Sequence, residues 1–333
     1  MTAPAWIWRV SKSRGMRTTV LAGFRPLVVV TSQGETRASA QVDSVAGMAT
    51  EHPITAPDGT RTVVDEYEAN ADAGAAVLFL PALGVPIGYY RPLFEKAAAR
   101  GIRIFGLEMR GRPRTSTTDM RKHDWGYATI IEQDIPAAFA QSPLGEVEHL
   151  TVVGHSLGGL LALTATGAGI LRPDRIMTAA SGAAHYTSRD GFVARQQRRF
   201  VTPWAKTVTQ FWGYFPGDKL GFGDRQPKTM IGDWHREARF NRFVFANTSV
   251  DYEEALHHVE VPVLQLSFAG DALVSPRAVD MLADRVGPVR PERLHLGTEA
   301  NAGRAWDHVR WPRQNADAVL DAMQSWARER RVG

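Results

Sequence analysis

The chain has 333 residues, 44% of them apolar and 22% charged, which leaves room for one large α/β domain with an insertion or for two small domains. It contains no cysteine, which excludes disulfides, thiolate catalysis and cysteine-based zinc sites, and no run reaches the ~18 consecutive apolar residues of a membrane span. The net charge of +4 comes from one end: residues 1–47 hold six basic and two acidic side chains, leaving 33 of each sign over 48–333, so the body offers no basic surface for nucleic acid.

In chain order, residues 1–47 carry Trp6-Ile7-Trp8, a basic stretch, and the apolar run Val20 to Val30. Arg25 and Pro26 interrupt what would be the apolar core of a signal peptide. The segment reads as a disordered extension, with a degenerate export or surface-binding segment as the alternative, and Met48 follows as a candidate translation start. The expected location is the cytoplasm.

Regular patterning begins after Met48. Arg61 to Glu68 reads as a strand after the turn signal Pro57-Asp58-Gly59. Val77 to Leu80 is wholly apolar, as expected inside a parallel sheet. A helix over Tyr90 to Arg100 ends at Gly101, and Ile102 to Leu107 is the next strand. Tyr127 to Gln141 reads as a helix with a kink or break at Pro136. Leu150 to Val153 is a strand, Leu157 to Ala168 a small-residue helix, and Ile176 to Ala180 a strand. The alternation stops near Ala184 and resumes near Val261. Val261 to Ser267 is a strand, Ser275 to Arg285 a helix, Arg293 to Leu296 a strand and Pro312 to Arg330 a final helix. This order predicts a mostly parallel, doubly wound sheet covered on both faces, formed by residues 48–183 and 259–333. Residues 184–258 are an inserted helical cap without strand alternation.

Gly154-His155-Ser156-Leu157-Gly158 falls between a strand and a helix. A serine on so sharp a turn projects its Oγ from the sheet edge, and glycines two residues to either side relieve the crowding. The next helix directs its dipole and free N–H groups at the reacting oxygen. Ser156 is therefore the candidate nucleophile. It needs a histidine oriented by a carboxylate, and in sheets carrying this elbow the chain order is serine, acid, histidine.

Asp271 follows the strand ending near Ser267, with Ser275 better placed to cap the next helix. His308 follows the last strand. The only other histidine beyond Asp271 is His295, which falls within a strand and suits sheet packing. Asp307 reads as a loop-fixing or surface residue, His155 as packing beneath the turn, and His257-His258 as solvated helix surface. Acyl transfer also needs two N–H donors for the oxyanion. Leu157 supplies one. The loop Pro81-Ala82-Leu83-Gly84-Val85-Pro86 supplies the other, from Leu83 with Ala82 as the alternative. This chemistry requires no cofactor and no metal.

Together, GHSLGG, the loop PALGVPIGYYRPL, Glu108-Met109-Arg110-Gly111, Gly270-Asp271 and Asp307-His308 resemble the α/β-hydrolase superfamily. Within it, the chain is similar to bacterial hydrolases of a serine aminopeptidase-like group, over about residues 50–330. The resemblance implies an α/β-hydrolase fold, the triad Ser156, Asp271 and His308, and hydrolysis of an acyl bond. Many members carry His-Gly where this chain has Pro81-Ala82, and Asp where it has Glu108.

The expected activity is hydrolysis of a carboxylic ester or thioester, with a small and apolar acyl substrate as partner. An acyltransferase using the same acyl-enzyme is the alternative, amide cleavage is less favoured, and a silent ligand-binding protein is the reading from another class. In the cap, Trp204, Phe211, Trp212, Tyr214, Phe215 and Trp234 are expected mostly to pack onto the core, some lining an acyl pocket. Arg195, Arg198 and Arg199 read as a solvated helix face, with an anionic substrate group as the alternative.

Overall fold

The computed structural model describes residues 49–69, 74–220 and 223–329; the expectations for residues 1–47 and Met48 lie outside them. Eight strands form one sheet: β1 (Thr50–Thr55), β2 (Arg61–Tyr67), β3 (Ala75–Leu80), β4 (Ile104–Leu107), β5 (His149–His155), β6 (Arg175–Ala179), and, after the insertion, β9 (Val263–Phe268) and β10 (Glu292–Leu296). Their spatial order is β1-β2-β4-β3-β5-β6-β9-β10. β2 runs antiparallel to both β1 and β4, and every pairing from β4 to β10 is parallel.

The apolar strands have this character because both sheet faces are buried. In β3, Leu78 and Leu80 face one core with Val152, Ile176 and Leu161. Val77 and Phe79 face the other, with Val153, Leu266 and Trp311. The side chains alternate with the period of two that a strand imposes.

Three elements differ from the sequence expectation. β1 gave no signal because it is an edge strand that buries only Ile54; there Pro53 can lack an N–H without breaking an interior ladder. The helical run from Tyr127–Thr129 to Ile135–Gln141 is continuous through a π turn, Ile130–Asp134. The Ile135 N–H reaches the Ile130 carbonyl, so the ladder widens before Pro136, which has no N–H to give. The last helix is split at Asn315 into Trp311–Gln314 and Ala316–Glu329.

The segment between β6 and β9 is mainly helical, through Phe192–Trp212, Lys228–Phe240 and Tyr252–Leu256. It also contains an antiparallel pair, β7 (Tyr214–Pro216) and β8 (Arg225–Pro227). At three residues each, these strands are too short to show alternation. Asp233 ties the segment to the core. Its carboxylate accepts the N–H of Tyr127, at the start of a core helix, and that of Ala246, each at 2.9 Å.

Candidate active site

Ser156 sits between β5 and the helix Leu157–Gly167, with φ 54° and ψ −115°. An L-residue rarely occupies this region, and the turn is held because the Ser156 N–H donates to the Ala179 carbonyl of the neighbouring strand at 2.9 Å. The flanking glycines are required by contact. A Cβ on Gly154 would lie 2.3 Å from the Gly159 nitrogen, and one on Gly158 would lie 2.0 Å from the Leu80 carbonyl oxygen. Gly158 thus lets the helix close against the end of β3, where the Pro81–Pro86 loop begins.

The structure brings together the three side chains singled out in the sequence. Ser156 Oγ lies 3.0 Å from His308 Nε2, and His308 Nδ1 lies 2.8 Å from Asp271 Oδ2. The other carboxylate oxygen of Asp271 accepts the N–H groups of Leu273 at 2.7 Å and Val274 at 3.0 Å. These two bonds fix the carboxylate while leaving Oδ2 for the imidazole. Ser275 caps the helix Pro276–Ala283 by accepting from Ala278 N–H, which frees Asp271 from that task. Asp307 accepts from the N–H groups of Val309 and Arg310 and thereby shapes the loop that carries His308.

His295 stands apart on the exposed edge strand β10, bonded to Ser267 Oγ at 2.9 Å. His257 and His258 are exposed in the turn after Tyr252–Leu256. Of the three arginines, Arg195 bonds the Arg189 carbonyl, Arg198 reaches the Leu273 carbonyl and stacks over Trp234, and Arg199 lies over Tyr186. Phe215 and Trp234 are buried, whereas Phe211, Trp212 and Trp204 are exposed, contrary to the expectation that most cap aromatics pack inward.

His155 is buried beneath the elbow and links both halves of the site. The Ala82 N–H donates to the Tyr90 hydroxyl oxygen at 3.0 Å. That hydroxyl lies 2.8 Å from His155 Nδ1, and His155 Nε2 lies 2.8 Å from the main-chain oxygen of His308. The Trp311 indole N–H also faces Nε2, at 3.2 Å, but the His308 carbonyl is closer and can only accept, which favours the proton on Nε2 and leaves Nδ1 to accept from Tyr90. Burial holds the His155 pKa well below the usual histidine value and raises that of Tyr90, so both stay neutral. The Ala82 N–H is thereby occupied. The N–H groups of Leu83 and Leu157 have no protein acceptor among the described residues.

Two further residues support this loop. Glu108 accepts the Ile87 N–H at 2.9 Å, and desolvation raises its pKa. Its side chain thus serves as a loop tether. Arg112, almost fully buried, donates to the Gly84 carbonyl at 2.8 Å, to the Arg225 carbonyl at 3.0 Å and to the Asp224 carboxylate. Tyr90 and Arg112 were not picked out from sequence. Tyr90 reaches the His155 side chain and Arg112 the Arg225 backbone, both distant in the chain, and no local pattern encodes that.

The profile of the alpha/beta hydrolase family matches residues 77–322, which is most of the chain and includes all three side chains. The chain belongs to the alpha/beta hydrolase family. This hydrolase also superposes on solved structures of low identity. A membrane phospholipase A described as a bacterial virulence factor matches with a TM-score of 0.58 and 13% identity, over 86% of this chain and 88% of that one. A thermophilic esterase from Thermogutta terrifontis matches with a TM-score of 0.54 and 15% identity, over 85% and 99%. The thioesterase domain of the curacin biosynthetic pathway matches with a TM-score of 0.54 and 14% identity, over 84% and 100%. At such identities the likeness is one of fold. No curated protein matches the hydrolase in sequence.

Proposed function

We propose that the protein is a serine hydrolase of carboxylic esters or thioesters that works through an acyl-enzyme on Ser156. The observation that carries this reading is the hydrogen-bonded line from Ser156 Oγ through the His308 imidazole to the Asp271 carboxylate, at 3.0 and 2.8 Å. Both distances lie within reach of proton transfer in the resting state.

In this mechanism Ser156 Oγ attacks the acyl carbon while His308 Nε2 takes its proton. Asp271 stabilises the resulting imidazolium and holds Nδ1–H toward itself. The carbonyl oxygen becomes an oxyanion held by the N–H groups of Leu157 and Leu83, because Tyr90 already occupies the Ala82 donor. The bond from acyl carbon to the leaving oxygen or sulfur then breaks, and His308 Nε2–H protonates the departing group. Water attacks the acyl-enzyme, His308 takes its proton, and the acid leaves as Ser156 regains its own.

The test is labelling by a fluorophosphonate probe, followed by a panel of acyl esters and thioesters. The wild type should label and turn over, and Ser156→Ala should do neither. No labelling of the wild type would favour a binding protein on this scaffold. Turnover that appears only with an added alcohol or amine would favour the transferase.

A further inference from the structure

The helix Phe192–Trp212 buries Thr202, Ala205 and Thr209 and turns a second apolar face outward. At 3.6 residues per turn, Val193, Phe200, Trp204 and Phe211 fall within about 20° of one line. They are 68%, 67%, 41% and 83% exposed. The stripe runs about 27 Å along the helix, with Phe192 and Trp212 exposed near its ends. Trp204 is steadied by an edge contact with Phe215, ring centroids 6.1 Å apart. Single exposed apolar side chains are ordinary, but four in register on one helix form a surface.

The charge on the helix selects what meets that surface. The 21 residues carry Arg195, Arg198, Arg199 and Lys206 and no acid. Arg199 and Lys206 are exposed and lie roughly 120–140° around from the stripe, where long side chains can extend alongside it. A second copy of this chain docked stripe to stripe would leave these cations without a counter-charge, because the helix carries no acid to meet them. Anionic headgroups would neutralise them. An exposed aromatic stripe on a helix whose polar side carries cations and no acid is also how a helix lies in the plane of a lipid interface.

We propose that the helix Phe192–Trp212 docks the protein on an anionic lipid surface, with Phe200, Trp204 and Phe211 entering the boundary of the acyl chains. The inference is independent of what Ser156 attacks.

The test is co-sedimentation of the full chain with vesicles of phosphatidylcholine alone, or mixed with phosphatidylglycerol. Wild type should bind the mixed vesicles, and the double variant Phe200→Ser/Phe211→Ser should weaken binding by roughly tenfold or more. Arg199→Gln/Lys206→Gln should erode the preference for phosphatidylglycerol, and added salt should do the same. Both side chains changed to serine are exposed, so an unaltered melting temperature identifies a loss of binding as interfacial. Three results would overturn the proposal: failure of wild type to bind either vesicle, a double-serine variant that binds like wild type, or a dimer in sedimentation velocity that the double-serine substitution abolishes.

Discussion

At Ser156 a strained backbone, two close-fitting glycines and a helix N-terminus converge on one oxygen. Sequence exposed this because a turn that tight demands its residue types locally. Asp271 and His308 were legible for a related reason, since each follows a strand whose order is fixed by the fold, Asp271 close behind β9 and His308 in the longer connection after β10. Tyr90 was not. It reads as an ordinary residue at a helix start, yet its hydroxyl joins Ala82 to His155, 65 residues away, and through it to the His308 backbone. Tyr90→Phe removes the acceptor of one buried N–H and the donor to Nδ1. It should cost about 1–3 kcal/mol of stability. It should also lower kcat by roughly tenfold with little change in KM, because the proposed oxyanion loop and the proposed base, His308, lose their common tether. Thermal melts and steady-state kinetics check both. A variant that melts lower but keeps full kcat would reduce Tyr90 to a packing residue.

Among elements, sequence revealed those whose burial is regular. β3, β5 and β9 are buried on both faces and read as apolar runs. β1 buries one side chain, and β7 and β8 are three residues long, so none of these offers a period to detect. The inserted helix Lys228–Phe240 reports its attachment through Glu237, a buried carboxyl that accepts the Ala184 N–H at 2.7 Å. Desolvation outweighs this bond and the nearby Arg285 and Arg198, pushing the Glu237 pKa up from 4.5 to about 7. The folded chain therefore keeps a proton there that the unfolded chain has already lost. Its contribution is complete below about pH 4.5 and declines as pH rises toward 7, by an amount on the order of 3 kcal/mol. Glu237→Gln keeps an acceptor for Ala184 and cannot ionise. Urea unfolding should show the variant gaining on wild type between pH 5 and pH 8, to roughly that extent. Parallel pH dependence in the two proteins would show that Glu237 does not carry this effect.

For the whole molecule, the alternation of strands and helices conveyed a doubly wound sheet, and the break after β6 conveyed an insertion. How the insertion meets the core could not be read, because that depends on pairs such as Arg112 with Arg225, 113 residues apart. Arg112 reaches from the core to the Gly84 carbonyl beside Leu83, and to Asp224 and Arg225 at the start of β8. The two segments lie so close that a Cβ on Gly84 would be 2.0 Å from the Gly223 carbonyl oxygen. One guanidinium thus holds the proposed oxyanion loop and the insertion in a single arrangement, and its planar fork suits several acceptors at once. Arg112→Met would strand two carbonyls and a carboxylate. The expected cost is roughly 2–4 kcal/mol, less than for a fully buried pair because Asp224 is half exposed. The same change should speed tryptic cleavage after Arg225 and lower kcat/KM for esters. Arg112→Lys keeps the charge but not the fork and should fall between the two. If Arg112→Met melted and digested like wild type, the junction between insertion and core would have to be carried by contacts such as that of Asp233 with the Tyr127 N–H instead.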